Sequence, residues 1–389
     1  MSISTYVTSK IERQTLSHTW KTTIQSDIEG GEKRSAIYTW PRVSLDNTLR
    51  SISTNERNFL RYMLFKNLHN IFGIPLVHDK TTLTAQAASG QKVLTVGATD
   101  YRHFYAGRGC ILIDPSDWTS YEYGTITTVD SSTQITLSTN LTSTWATDTK
   151  VYPMYPFRVD ALQEIAAKFR QLNYLKFTAD ESFEATRSFT YSLPASGAAT
   201  YNGYDLFLYR PFYPLKTSFM HPYELLSFYG LSTPYSDYTT TRPGLKGSYT
   251  FVSRSEIQDV LNFFDSKKGR FSLFYMPSWG NDIVPAAAIA SDATTITIEA
   301  SYYLLADLVG KHLYIRLPDS SYVCREITNL PASTTLVIDS AIGTAISAND
   351  VSKMLVSFLN PVRFDVDELK LAYTADVITS TDLSFKVVW

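Results

Sequence analysis

Apolar positions along the chain keep two rhythms. Short runs alternate or are wholly apolar for four to six residues and are rich in β-branched side chains. The first group reads "KVLTV" (92–96), "GCILI" (109–113), "YGTITTV" (123–129), "TQITLS" (133–138) and "KVYPM" (150–154). The second reads "TTITIE" (294–299), "HLYIRL" (312–317), "VCREITNL" (323–330), "TTLVID" (334–339) and "VSKMLVSF" (351–358). Turn-forming Ser-Gly, Asp-Ser-Ser and Pro-Ala-Ser segments separate them, a pattern that predicts five short antiparallel strands in each group, closed as a small β-barrel.

The second rhythm is helical. In "SISTNERNFLRYMLFKNLHNIFG" (51–73), Leu60, Leu64, Leu68 and Phe72 recur every four residues beside Phe59 and Met63. In "VSRSEIQDVLNFFDSKKG" (252–269), Ile257, Val260, Leu261 and Phe264 form a similar stripe. Ser53 with Glu56 and Ser253 with Glu256 have the S-x-x-E spacing of a capping box, in which the two side chains satisfy orphan backbone donors at a helix start. Gly73 and Gly269 are the expected helix stops.

These landmarks repeat. The capping pairs lie 200 residues apart, and Pro75 and Pro277, Val96 and Ile298, Gly107 and Gly310, Ile126 and Ile327, and Met154 and Met354 follow in the same order. The phrase Pro156-x-Arg158-x-Asp160 returns as Pro361-x-Arg363-x-Asp365. The spacing predicts a mainly β protein of two tandem-duplicated modules, each a β-sandwich or barrel plus one helix with a small inserted antiparallel barrel. Its expected divisions are 1–78 with 155–185 for the first core and 79–154 for the first insertion. The second core takes 186–282 with 358–389, and the second insertion 283–357. Each half is expected to fold around its own interior. Residues 186–215 read as a long hairpin with a Gly-rich tip, and 160–172 as a short linking helix, although the matching C-terminal segment reads as strands.

Composition narrows the function. The 389 residues are 44% hydrophobic and 19% charged, with 26 Tyr and 21 Phe, and the formal net charge is -2. This is a packing composition rather than that of a disordered chain. Without a Lys/Arg run there is no footprint for a phosphate backbone, so no direct nucleic-acid partner is expected. No apolar run reaches the length of a signal peptide or a membrane span, and use without export is expected. Cys110 and Cys324, both in strand-like settings, read as small core residues.

Catalytic patterns are missing: no HExxH, GxSxG, GxxxxGK or GxGxxG occurs. No catalytic, cofactor-binding or metal residue is assigned, and no cofactor or enzymatic activity is expected. The histidines, His18, His69, His78, His103, His221 and His312, stand far apart. Asp180, Glu181 and Glu184 form the one carboxylate cluster and read as a solvated face. Trp118, Trp145, Trp279 and Trp389 suit a core, a subunit interface or, less well, a sugar platform. Arg158 and Arg363 are expected to pair locally with Asp160 and Asp365 or to bond backbone. Aromatic residues at 99–105 and 301–305 are the positions where a surface-binding protein would carry its contacts.

The order "GEKRSAIYTWPR" (31–42) or "GLKGSYTFVS" (244–253), a capped helix, "KKGRFSLFYMPSWGND" (267–282) and an inserted barrel resembles tail-tip and baseplate proteins of long-tailed bacteriophages. It is most similar to distal tail or hub components of non-contractile tails. The resemblance implies a virion protein, assembled in the host cytoplasm, whose core joins a ring between the tail tube protein and the distal hub or fibre. Two modules per chain would let three chains form a pseudo-sixfold ring; the rival arrangement is a plain hexamer. A host-surface (glycan or receptor) binding tail protein is the alternative.

Overall fold

The computed structural model describes residues 4–5, 11–26, 32–51, 54–67, 70–117, 120–159, 165–167, 173–181, 194–220, 224–228, 231–235, 242–300, 305–375 and 378–388. The first half opens with β1 (Ser4–Thr5), β2 (Ile11–Thr19), a hairpin of β3 (Thr22–Ser26) and β4 (Glu32–Ala36), β5 (Arg42–Ser51) and helix α1 (Thr54–Asn67). It continues through β6 (Phe72–Pro75), β7 (Thr81–Thr82), β8 (Val93–Thr95), β9 (Gly109–Ile113), β10 (Tyr121–Ser131) and β11 (Gln134–Leu137). The long strand β12 (Lys150–Val159), then β13 (Ile165–Ala167) and β14 (Asn173–Glu181), complete it.

A small hairpin, β15 (Thr200–Tyr201) and β16 (Tyr204–Asp205), leads into β17 (Lys216–Met220), the hairpin β18 (Glu224–Phe228) and β19 (Leu231–Tyr235), β20 (Arg242–Phe251) and helix α2 (Arg254–Lys267). Next come β21 (Phe274–Pro277), β22 (Thr295–Thr297), the short helix α3 (Leu305–Leu308), β23 (His312–Arg316), β24 (Tyr322–Ala332) and β25 (Thr335–Ile338). The chain ends through β26 (Leu355–Phe364), β27 (Glu368–Ala375) and β28 (Ile378–Val387). The fold is therefore mainly β, and its largest sheet is almost wholly antiparallel.

Alternation explains the outer strands. In β28 every second residue from Thr379 to Val387 is buried, as a strand with one face on a core requires. The two Pro-x-Arg phrases occupy matching ladder positions. Pro156 lies opposite Gly73 and Pro361 opposite Tyr275, where β12 and β26 leave the ladders of β9 and β23 and join β6 and β21. Each strand then runs on to pair with β14 or β28. Gly107 and Gly310 both adopt positive φ, 82° and 83°, and their N–H groups donate to Ile126 and Ile327 oxygens at 2.8 Å. A left-handed backbone at such a turn favours glycine because it lacks Cβ.

Each inserted segment has its own apolar core, one around Leu94, Leu112, Ile126, Ile135 and Val151, the other around Ile296, Leu313, Ile327, Leu336 and Val356. The strands form open ladders, β8-β11-β10-β9-β12-β7 and β22-β25-β24-β23-β26. The expected closed barrels are not present as continuous ladders. The remaining seam holds only isolated bridges, Leu83 with Val96 and Pro285 with Ile298.

Several sequence expectations change. Gly73 sits inside β6 rather than at a helix end, and Phe72 is a buried strand residue rather than the last position of the α1 stripe. Ser53 and Leu68 lie outside the described residues. Helix α2 follows the expectation: Ile257, Val260, Leu261 and Phe264 are buried together with Phe263. Ser253 Oγ accepts from the Glu256 N–H at 3.2 Å while the Glu256 carboxylate accepts from the Val252 N–H. Left-handed Lys268, one residue before Gly269, caps the C-terminus. Ile165–Ala167 is a strand, not part of a helix. Of the expected long hairpin, the described residues show β15 paired with β16 about Asn202 and Gly203, both at positive φ; its first arm, 187–193, lies outside the described residues.

The halves also do not keep separate interiors. One cluster combines Leu16, Trp20, Leu45, Phe72 and Phe157 with Phe207, Phe263, Phe274, Phe364, Leu371 and Phe385. Phe207 lies at its centre, with ring centroids 5.2 Å from Phe263, 5.6 Å from Phe385 and 5.9 Å from Phe274. Phe207→Ala is expected to cost about 3–5 kcal/mol, read as a lower denaturant midpoint, whereas exposed Phe212→Ala should shift stability by no more than about 0.5 kcal/mol. Ser253→Ala should cost about 1 kcal/mol through the lost cap, measured in the same titration.

Candidate functional site at the junction of the halves

Strand β2 of the first half pairs with β27 of the second, from Gln14 opposite Tyr373 to Thr19 opposite Glu368. With β5 on its other side and β28 beyond β27, this makes one continuous run, β14-β5-β2-β27-β28-β20-β17. Trp20 N–H extends the seam to the Asp367 carbonyl at 2.7 Å, and Thr22 N–H donates to the Asp367 carboxylate at 2.8 Å.

Beneath this seam, polar side chains from the two halves are buried together. Asp265 of α2 meets His18 Nδ1 at 2.9 Å and accepts from Trp20 Nε1 at 2.9 Å. Gln14 donates to Asn47 Oδ1 and to the Pro75 carbonyl, and its oxygen accepts from Val77 N–H and His78 Nδ1. The His78 ring stacks on Tyr373, centroids 3.7 Å apart.

Asp79 is the centre of the network and is wholly buried. One carboxylate oxygen accepts from Arg254 at the start of α2; the other accepts from the His103 N–H at 3.2 Å and contacts His103 Nδ1. Burial by itself would raise the Asp79 pKa, but His78, His103 and Arg254 outweigh it and hold the carboxyl well below its ordinary range. His78, Asp79 and His103 bring three donor atoms within 4.8 Å of one another, a spacing suited to a metal ion. Arg254 already supplies positive charge to this carboxylate, so the cluster fits an ionic tie between the halves better than a cation site. His78 and His103 share no local ligand spacing in the sequence; only the fold brings them to Asp79.

A second tie starts from the β3–β4 hairpin. Glu32 receives Arg363 through Nε at 2.8 Å and Nη2 at 3.1 Å, and Lys386 Nζ at 2.9 Å. Arg363 also donates to the Phe364 carbonyl and reaches Asp365 at 3.3 Å. The expected local bonds are thus present, but the bidentate partner lies in the other half of the chain. Arg158, at the corresponding ladder position, is exposed, and Asp160 lies outside the described residues. Burial pushes the Glu32 pKa up, and Arg363 and Lys386 override it to about 2.

Other singled-out residues are dispersed. Glu181 pairs with Arg108 at 2.6 Å, both largely buried, while Asp180 is exposed and Glu184 lies outside the described residues. Trp145 is buried and donates to Glu122 at 2.8 Å; Trp279 packs on Tyr314, centroids 5.5 Å apart. Trp118 and Trp389 lie outside the described residues. In the 99–105 loop Tyr101 is exposed and Tyr105 partly so, but His103 and Phe104 are buried; of 301–305, only Leu305 is described. Burial pushes the thiol of Cys110 to about 12 and that of Cys324 to about 11, as expected of packed rather than reactive cysteines. No described helix is long and apolar enough to cross a membrane. No known family matches the chain, and no curated protein does.

Removing one partner of a buried pair strands the other charge. Arg254→Met should therefore cost about 3–5 kcal/mol, and Arg254→Met combined with Asp79→Asn less than the sum of the single changes, measured by denaturant titration. Glu32 has a folded pKa below its ordinary 4.5, so its stabilising effect is complete above that value and fades as pH falls toward 2. Glu32→Gln should flatten that acid limb of the stability–pH curve, read as Tm against pH.

Proposed function

We propose that the chain is a structural protein of a bacteriophage tail tip that contributes two copies of one ring-building module to a ring between the tail tube and the distal tip or fibre. The likeness of "GEKRSAIYTWPR", the capped helix and "KKGRFSLFYMPSWGND" to that family supports the reading. The observation that carries it is the head-to-tail ladder between β2 and β27. β5 and β20 begin at Arg42 and Arg242, and α1 and α2 at Thr54 and Arg254, 200 positions apart. Equivalent elements therefore meet through non-equivalent edges, the geometry from which closed rings are built.

In this reading 1–78 with 155–185 and 186–282 with 358–389 are the two modules, and 79–154 and 283–357 are outward insertions, each an open antiparallel ladder around its own apolar core. Three chains supply six modules and match a sixfold tube to a threefold tip. The partners are further copies of the chain, the tail tube protein and hub or fibre proteins, and the location is the virion. No catalysis is assigned: among the described residues the His78–Asp79–His103 cluster is closed by Arg254, and His18 with Asp265 is spent on the seam between the halves. A contribution of the first insertion to host-surface binding is favoured by exposed Tyr101, Tyr121 and Tyr123, the last two on one face of β10.

Native mass spectrometry of purified protein across a concentration series should show a closed species of about three times the 43.8 kDa of one chain. A closed six-chain species would overturn the two-module stoichiometry, and a persistent monomer the ring itself. Tyr121→Ala with Tyr123→Ala should leave that mass unchanged and weaken retention on bacterial surface polysaccharide; unchanged retention would count against the host-binding contribution.

A further inference from the structure

The internal junction predicts the external one in register. Among the described residues β17 pairs only with β20, and β13 only with β14, so each has one edge with no described strand against it. β17 stands to β20 as β2 stands to β5: Leu16 opposes Leu45 and Thr217 opposes Leu245. β13 stands to β14 as β27 stands to β28, and carrying the ladders across places Ile165 where Leu371 stands and Ala166 where Ala372 stands. Inside the chain Leu16 opposes Leu371 and Thr15 opposes Ala372.

Side chains supply a second, independent correspondence. The contact beneath the internal seam is His18 with Asp265. The position matching His18 on β17 is Phe219, and that matching Asp265 on α1 is Phe65. Both are exposed, at 74% and 93%. The internal correspondence would bring these two rings into contact between copies, and aromatic side chains are enriched at protein interfaces.

We infer that β17 of one copy pairs antiparallel with β13 of a second copy of this chain, Thr217 opposite Ile165 and Lys216 opposite Ala166, with Phe219 packed against the neighbour's Phe65. The contact copies the β2–β27 junction but replaces a buried histidine–carboxylate contact by an aromatic one. That exchange distinguishes the joint between chains from the joint within a chain and keeps register between like modules. Left uncovered, the same edge would be an aggregation hazard. The inference rests on the ring reading and names the surface that builds it.

The test places Thr217→Cys and Ile165→Cys in one chain and treats the assembled protein with a short thiol-reactive cross-linker; buried Cys110 and half-buried Cys324, both with raised thiol pKa values, stay in place. The expected product is a covalent series ending at three chains, absent from either single variant and from Thr200→Cys paired with Ile165→Cys. Phe65→Asp and Phe219→Asp should each raise the dissociation concentration about tenfold or more, with the folded monomer unchanged by circular dichroism. Phe65→Asp with Phe219→His, a copy of the internal pair, should recover part of that loss, whereas Val309→Asp should have no effect. A three-chain particle without the cross-link and insensitive to both Phe changes would overturn this surface while leaving the ring standing. A monomer at every concentration would overturn both.

Discussion

A carboxylate with no exposed surface must find its compensation inside the protein, and Asp79 finds it from both halves of the chain. His103 comes from its own half, Arg254 from the first turn of α2 in the other, and His78 is held nearby by Gln14 and by stacking on Tyr373. Asp265 makes the reverse connection, from α2 to His18 and Trp20 of β2. These bonds can form only when β2 lies against β27 in one register, because a slip of one residue would turn His18 to the opposite face. The pairing of the halves, the continuity of the sheet and the meeting of first-half residues such as Trp20, Phe72 and Phe157 with the second-half cluster around Phe207 go with that single docking.

Much of the architecture was readable because it is local. Alternation marked the strands of both insertions, the i, i+3, i+4 stripe marked α2, and the Ser253–Glu256 spacing marked its start. The recurring Pro-x-Arg phrase marks the two places where β12 and β26 pass from the ladders of β9 and β23 to those of β6 and β21. What stayed hidden depends on residues that meet only in the fold. Arg363 had a plausible neighbour in Asp365, and nothing local pointed to Glu32, 331 positions away. His78 and His103 flank no motif, and their meeting at Asp79 needs β6 and the 99–105 loop placed together. Gly73 and Phe72 were misassigned for a simpler reason: helical periodicity ran on past the end of α1 into a buried strand whose apolar residues kept the phase.

The charged ties serve orientation more than net stability. A buried ion pair recovers little beyond its desolvation cost, but it penalises any arrangement in which one partner is left alone. In a protein whose two halves carry similar edges, such a penalty has a use. β2 could otherwise pair with the wrong edge, whereas Asp79 with Arg254 and Asp265 with His18 select β27. In the proposed ring the corresponding positions are Phe219 on β17 and Phe65 on α1, so the chain would close on itself in one way and on a neighbour in another.

The central claim is that one junction, made once within the chain, is repeated between chains until a ring closes. End-on electron micrographs of the assembled protein test it most directly. The account predicts a closed ring of six similar lobes whose averaged images have threefold symmetry, with two alternating kinds of junction between lobes. A particle without a ring, or a sixfold ring of chains each showing one lobe in the wall and one outside it, would contradict it.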